Sequence, residues 1–230
     1  MGPVAYLLNA SDLRPIDQKN MIFKYADDTY LIVPGSSIQT IPSELHHISE
    51  WAVCHNLKLN EAKSKEIIIS LQKTPISAAT HLTTVESLTV LGITFITKVC
   101  LEPHISYIIQ SAGRCLYGLK TLRAHGLNGK SLCDVTQATL IAKIMYAAPA
   151  WWGFLSAAEK DRTESVVKKA KRYGYLPSNF EHVHSLVECM ESNLFHNVLY
   201  NPHHLLNQLL PPVKDTIYTV SQKTLTFLFF

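Results

Sequence analysis

The sequence has few cysteines, and none of them form pairs. Five are scattered along 230 residues, an odd number, and no two stand in a C-x-x-C spacing. Such a set does not suit the disulfide framework of a small secreted domain or the ligand pairs of a zinc ribbon. Residues 1–8 are apolar but carry no basic leader, which disfavours a signal peptide. We expect an intracellular protein of the nucleus or cytoplasm that is not secreted.

Long apolar runs and a strong net charge are also missing. The longest candidate, residues 138–155, contains Lys143 and Pro149, whereas a membrane-spanning helix needs roughly 20 clean apolar residues. We therefore expect no membrane contact. The 21 Lys and Arg against 18 Asp and Glu leave a charge of +3, which permits nucleic-acid binding without arguing for it. No glycine-rich phosphate loop and no endonuclease, RNase H or protease signature is present.

The composition that is present predicts a globular protein. Apolar residues make up 47% of the chain, enough for one large or two small domains with a hydrophobic core. Residues 21–26 and 29–33 are rich in apolar, β-branched and aromatic residues, and only Asp27 and Asp28 separate them. Two such runs joined by two residues predict a tight β-hairpin whose turn is Asp27-Asp28.

Further elements follow from the spacing of apolar residues. A period of three to four over residues 38–52 predicts a helix, with Thr40 as its cap and Pro42 in its first turn. Short strands are predicted at the following segments: residues 57–59, 66–70 and 90–95.

The chain becomes helical beyond about residue 101. A stripe over 105–119 predicts one helix, and Ser131 begins another that Pro149 ends. A third helix starts with a capping box at Ser156 and runs to about Tyr173. No regular element is predicted from Pro177 onward. The expected fold class is α+β, an antiparallel sheet with helices followed by an all-helical part.

The two adjacent aspartates need a chemical reason at the tip of an apolar hairpin. Neighbouring carboxylates repel each other, and a divalent cation such as Mg²⁺ removes that cost because it is held by one or two carboxylates together with phosphates. The alternative is a solvated turn with no ligand. The flanking Tyr25-Ala26 and the apolar second strand favour the metal site.

The string Tyr25-Ala26-Asp27-Asp28 resembles the catalytic box of reverse transcriptases, and the longer FKYADDTYLIVP is similar to the version in LINE-type (non-LTR) retrotransposons. The resemblance implies an RNA-directed DNA polymerase that carries out two-metal nucleotidyl transfer on an RNA template, a DNA primer and dNTPs. Asp27 and Asp28 would bind Mg²⁺, while Tyr25 and Ala26 would line the primer end. The implied domains are a partial palm at 1–100, a helical thumb at 101–176 and a C-terminal extension at 177–230.

Several other segments match the same family in the same order, and two of them carry candidate site residues. Residues 56–65 are similar to the motif after the catalytic hairpin, which implies that Lys63 faces the incoming triphosphate; a solvated loop lysine is the alternative. Residues 88–95, with Leu91-Gly92, resemble the primer-grip strand. A glycine there lets a nucleic-acid backbone approach closely.

The chain also departs from the family. A polymerase palm needs a further aspartate on another strand, which the family supplies upstream of the matched segments together with the fingers. Asp12 and Asp17 do not take its place. We therefore expect this chain to be inactive as a polymerase when alone. Nothing in the sequence indicates an oligomeric state.

The densest basic patch lies at residues 168–172 and is followed by two tyrosines. Its cations could contact phosphates, but a cationic last turn that complements the helix dipole explains them equally well. The competing functional hypothesis is a non-catalytic nucleic-acid-binding fragment that uses this patch, formed by Lys168, Lys169, Lys171 and Arg172. Elsewhere in the chain, the consecutive tryptophans Trp151 and Trp152 are predicted to anchor the hydrophobic core.

Overall fold

The computed structural model of the chain describes residues 9–69, 80–98 and 100–211. These residues form two compact units, one within 9–98 and the other within 100–211. Unit 1 combines short strands with helices, and unit 2 is helical. The α+β class expected from the sequence is therefore confirmed.

An antiparallel hairpin of β1 (Met21–Tyr25) and β2 (Asp28–Ile32) opens unit 1. Successive residues of a strand face opposite sides, so Leu31 and then Val33 point to one side, where both are completely buried. The predicted hairpin is confirmed.

The turn of this hairpin was predicted one residue too late. Tyr25 pairs with Asp28, so Ala26 and Asp27 form the turn. In this register Lys24 lies opposite the small polar Thr29. The predicted Asp27-Asp28 turn would have placed the lysine opposite Leu31, which is a core residue.

A 3₁₀ turn at Gly35–Thr40 leads into helix α1 (Ile41–Cys54), so the predicted helix is confirmed with a later start. Thr40 occupies the N-cap position, but its hydroxyl donates to the Ser37 carbonyl at 2.7 Å instead of capping α1. Helix α1 packs on the hairpin around a core of Leu13, Leu31, Val33, Ile41 and Ile48.

The remaining strands of unit 1 are short. β3 (Lys65–Glu66) pairs in parallel with β4 (Thr83–Thr84), and β5 (Ser87–Val90) pairs antiparallel with β6 (Ile93–Ile96). Across the described residues every sheet has only two strands.

Of the strand predicted at residues 66–70, only Glu66 lies in a strand, residues 67–69 do not, and residue 70 lies outside the described residues. Two other strand predictions in this region were wrong. Residues 57–59 form no strand, and the single strand predicted at 90–95 is a second hairpin. Its turn is Leu91-Gly92, and both residues have positive φ, 47° and 84°. A two-residue hairpin turn requires such a backbone, whereas a continuous strand does not contain it.

Unit 2 is built on two long helices, α2 (Glu102–Ala124) and α6 (Ala157–Arg172), as the apolar stripe and the capping box predicted. In that box the Glu159 amide donates to the Ser156 hydroxyl at 3.3 Å, and the Ser156 amide donates to the Glu159 carboxylate at 2.8 Å. The Ser156 hydroxyl also donates to this carboxylate, at 2.6 Å, and that bond, followed by the one from the Ser156 amide, lowers the pKa of Glu159. The connecting elements are α3 (Gly129–Thr136), a π-helical turn (Gln137–Ile141), α4 (Ala142–Met145), α5 (Ala148–Trp151) and a 3₁₀ turn (Trp152–Phe154).

The chain breaks before Pro149 and not at it. Tyr146 leaves the helical region, and Ala147 has a φ of 49°. Pro149 then lies in the first turn of α5, where its missing N–H costs nothing. The prediction that Pro149 ends the helix was wrong for this reason.

The paired tryptophans anchor the core of unit 2, as predicted. Trp151 is completely buried, Trp152 is 4% exposed, and their rings meet edge to face at 5.9 Å. The Trp151 indole N–H donates to the Tyr146 carbonyl at 2.9 Å.

A further helix, α7 (Val183–Tyr200), forms where no regular element was predicted, and a 3₁₀ turn follows at Asn207–Leu209. Helix α7 packs on α5 and α6. It buries Val183, Val187 and Val198.

Candidate active site at the first hairpin

The tip of the β1–β2 hairpin presents both aspartates to solvent. Ala26 has a φ of 50°, in the left-handed region that the first residue of a tight hairpin turn requires. Asp27 completes the turn and Asp28 begins β2, and both are exposed. Among the residues that the structure describes, neither carboxylate forms an ion pair or a contact with a cation. Two adjacent negative charges therefore stand uncompensated at this tip.

Tyr30 belongs to the same site, although the sequence analysis did not single it out. Its hydroxyl donates to the Asp28 carboxylate at 3.3 Å. Burial, followed by the negative charge of Asp28, its hydrogen bond and the charge of Asp27, raises the pKa of Tyr30 to about 12. The step of two residues along β2 puts Asp28 and Tyr30 on one face. That spacing was visible in the sequence.

Lys24 lies on the opposite face and serves the scaffold. Its ammonium donates to the carbonyls of Ala10 and, at 3.1 Å, Leu13, and burial lowers its pKa. Although it is close in sequence to the aspartates, this lysine is committed to the segment before β1. It leaves the negative charge at the tip unbalanced.

A buried carboxylate holds the segment that precedes β1 against α1. Glu44 is completely buried and accepts hydrogen bonds from the backbone amides of Ile16, at 3.0 Å, and Asp17, at 2.8 Å. The Asn20 side chain donates to the same carboxylate at 2.9 Å. The chain therefore enters β1 from a fixed position.

A second tie lies about two turns further along α1. Asp12 accepts a hydrogen bond from the Trp51 indole at 3.0 Å, and its other oxygen lies 3.4 Å from the His55 ring. The bond to Trp51 is the main cause that lowers the pKa of Asp12. The base of the hairpin is thus held by polar contacts, while its tip is open.

The other residues implied by the resemblance are spread over unit 1. Tyr25 is 62% exposed and shares its strand face with Asp28, its cross-strand partner. Lys63 is exposed in a turn where its amide donates to the Asn60 carbonyl at 2.9 Å. No hydrogen bond or ion pair joins it to the hairpin in the part of the chain that is described. Leu91 and Gly92 lie at the tip of the β5–β6 hairpin.

The aspartate pair matches part of a magnesium site. Mg²⁺ is held by one or two carboxylates, while waters and phosphates complete its octahedral coordination. Asp27 and Asp28 could supply two carboxylates. Over residues 9–69, 80–98 and 100–211, no group of three His, Cys, Asp or Glu residues could hold a metal ion. Further ligands would have to come from phosphates or from another strand.

The basic patch of unit 2 has mixed roles. Lys168 and Lys169 are exposed at the end of α6, and the Arg172 guanidinium lies 5.3 Å from the centre of the Tyr173 ring. Lys171 is half-buried and donates to the Phe180 carbonyl. Three of the four cations therefore face solvent, and the fourth ties down the chain after α6.

Comparisons with known proteins give no relative. The chain matches no protein-family model, no curated protein and no solved structure. Within the described segments, every helix is too short or too polar to cross a lipid bilayer.

Proposed function

We propose that this chain is part of an RNA-directed DNA polymerase of the LINE retrotransposon type, a partial palm followed by a helical thumb. The observation that carries the proposal is the Tyr25-Ala26-Asp27-Asp28 string on a tight hairpin, with both carboxylates exposed and without an ion-pair partner among the described residues. A surface turn selected only for solubility has no need to place two unbalanced charges side by side.

Each residue has a role in this proposal. Asp27 and Asp28 hold Mg²⁺, which when bound polarises phosphate oxygens and activates a primer hydroxyl. Tyr25 and Ala26 contact the primer end, Lys63 neutralises the triphosphate, and the Leu91-Gly92 turn supports the primer backbone. The ligands of this function are an RNA template, a DNA primer and dNTPs.

The chain alone is expected to be inactive as a polymerase. Two-metal transfer needs carboxylates from more than one strand, and the described residues contain no third acidic or imidazole ligand grouped with the pair. Primer extension on an RNA template with Mg²⁺ or Mn²⁺ measures this. Extension by the wild type above the level of an Asp27→Ala, Asp28→Ala variant would contradict the expectation of inactivity.

Metal binding tests the proposal without requiring activity. The measurement is Mn²⁺ binding at pH 7.5, followed by the loss of the free-ion signal in electron paramagnetic resonance, because Mn²⁺ takes the same oxygen ligands as Mg²⁺. An Asp28→Asn variant should lose this binding, whereas Asp134→Asn, at an exposed aspartate of unit 2, should keep it. Equal Mn²⁺ binding by the wild type and by Asp28→Asn would refute metal binding at the hairpin.

A second candidate function is nucleic-acid binding without catalysis. The exposed Lys168, Lys169 and Arg172 favour it. Salt-dependent binding that survives the Asp27→Ala, Asp28→Ala double substitution supports this candidate, and metal-dependent nucleotide incorporation supports the polymerase.

A further inference from the structure

Helices α2 and α6 lie side by side and run in the same direction. Near their starts, Arg162 of α6 lies 3.9 Å from the Glu102 carboxylate and donates to the Ser106 hydroxyl at 3.3 Å. At their other ends, Arg123 in the last turn of α2 donates to the carbonyl of Tyr173, the residue after α6, at 2.6 Å. Arg162 and Glu102 are about half exposed, so the line of contact between the helices opens to solvent. We call this line the α2–α6 seam.

Helical periodicity shows which later residues line the seam. Gly113, Tyr117 and Lys120 follow Ser106 by 7, 11 and 14 residues, so they lie on the flank of α2 that faces α6. On α6, Lys169 follows Arg162 by 7 residues and takes the same flank. At 1.5 Å per residue, Gly113 and Lys169 both lie about 10 Å past the first contacts, across from each other.

After the first turns of the two helices, the charge along the seam becomes positive. Beyond the Glu102–Arg162 pair there is no Asp or Glu from Pro103 to Cys133, nor from Ser165 to Phe180. Lys120, Lys169 and Arg172 are exposed. The dipole of α6 accounts for the last two, which lie in its final turn. It does not account for Lys120, which precedes the final turn of α2.

Exposed aromatic rings accompany these cations. Tyr117 is 73% exposed and Tyr173 is 41% exposed. A Cβ placed on Gly113 would meet no atom within 4 Å, so the seam between α2 and α6 is open at this position. Cations that flank exposed rings along an open groove suit a strand whose phosphates and bases alternate. An acidic peptide would use the cations but has no flat groups to stack on the tyrosines.

We propose that the α2–α6 seam binds single-stranded nucleic acid. Lys120 and Lys169 contact phosphates, and Tyr117 and Tyr173 stack on bases. The seam lies wholly within unit 2 and does not depend on the hairpin. It also divides the basic patch: Lys168 and Arg172, four residues apart, lie about 100° and 60° around α6 from Lys169 on the outer side of the helix, and Lys171 is held by Phe180.

The experiment is fluorescence anisotropy of the full chain with a labelled 12-nucleotide oligo(dT), at several salt concentrations. Lys120→Ala and Lys169→Ala should each weaken binding and reduce the salt slope by about 0.7, the value for one phosphate contact on a single strand. Tyr117→Ala should weaken binding about five- to a hundredfold, whereas Tyr117→Phe keeps a ring and most of the affinity.

Two matched controls make the location testable. Lys19→Ala removes the same charge from an exposed position of unit 1, outside the seam, and should bind as the wild type does. Gly113→Glu places an acid in the open seam and should weaken binding severalfold, whereas Gly113→Gln, of the same size, should not. Far-ultraviolet circular dichroism verifies that each variant folds.

The Asp27→Ala, Asp28→Ala variant separates this proposal from the proposed function, because it should bind oligo(dT) normally. Equal losses from Lys19→Ala and Lys169→Ala would overturn the seam. So would displacement of the probe by polyglutamate at the same charge concentration as by unlabelled oligo(dT), or the absence of binding at low salt.

Discussion

His104 gives a sharp test of the structure, because it is a buried group that the fold does not satisfy. It lies near the start of α2, is 3% exposed, and packs edge-on against Trp151 with ring centres 5.4 Å apart. Within the described part of the chain, neither ring nitrogen has a hydrogen-bond partner. The perturbation is His104→Leu, which keeps a side chain of similar volume and removes both buried polar atoms.

The expected effect is stabilisation. An unsatisfied buried polar group costs about 1–3 kcal/mol, and His104 has two such nitrogens. The leucine loses the aromatic edge contact, worth about 0.5–1.5 kcal/mol, and fits a slightly different shape at a cost under about 1.5 kcal/mol. We expect the free energy of unfolding of unit 2 to rise by about 1–3 kcal/mol at pH 7.5.

The pH dependence follows from the same burial, which lowers the pKa of His104. Below about pH 6.5, the unfolded chain binds a proton that the folded chain does not. The free energy of unfolding is therefore highest above that pH, where the ring is neutral in both states. It falls as the pH drops from there toward the lowered folded pKa, because protonation then favours the unfolded chain. The loss approaches about 1.4 kcal/mol per pH unit inside that window. His104→Leu removes this slope.

Urea unfolding followed by circular dichroism at pH 7.5 and pH 5 measures both effects. The exposed His203→Leu is the control for a generic histidine-to-leucine change and should leave stability and slope unaltered. A destabilised His104→Leu protein with the wild-type pH slope would show that the imidazole has a partner, which refutes the reasoning.

Three further predictions concern a buried carboxylate, a turn residue and a helix cap. Glu44→Ala leaves the Ile16 and Asp17 amides without their acceptor and should cost unit 1 about 1–3 kcal/mol in urea unfolding followed by circular dichroism; a loss below about 0.5 kcal/mol would contradict a tie at Glu44. Ala26→Gly relieves a left-handed alanine and should stabilise unit 1 by about 0.5–1 kcal/mol in the same assay, and Ala26→Val should act in the opposite direction. Ser156→Ala removes a capping box and should cost unit 2 about 1 kcal/mol, which thermal unfolding measures; an unchanged midpoint would argue against the cap.

The sequence predicted those elements whose signals are local and redundant. The first hairpin has two apolar strands and room for only two turn residues. Helix α6 has a capping box at one end and Gly174 after the other. Helix α2 has a long apolar stripe that matches its buried residues. In each case periodicity and end signals agree.

The predictions that failed depended on contacts distant in sequence or on an unfavourable backbone. Leu91 adopts a positive φ that leucine disfavours, so the turn of the second hairpin carried only a weak signal in its glycine. Helix α7 buries few residues, and Leu199 and Phe195 remain exposed on it. Its apolar positions therefore trace no clear stripe, and only packing on α5 and α6 explains why it forms.

At the candidate site, the sequence pointed to the aspartates because their chemistry is unusual at any turn. It did not indicate that Lys24 is held by main-chain carbonyls on the far side of the strand. Nor did it indicate that Glu44 fixes the approach to β1. Both roles depend on how the preceding segment crosses α1, which no local pattern encodes.

The two-strand width of each sheet has a practical consequence. In the residues that the structure describes, β1 and β2 pair only with each other, so each has an outer edge of unused main-chain donors and acceptors. Such an edge accepts an additional strand from any neighbouring chain. Purified material is therefore expected to lose monodispersity as its concentration rises. A lysine or a proline introduced along β1 should reduce this edge-to-edge association.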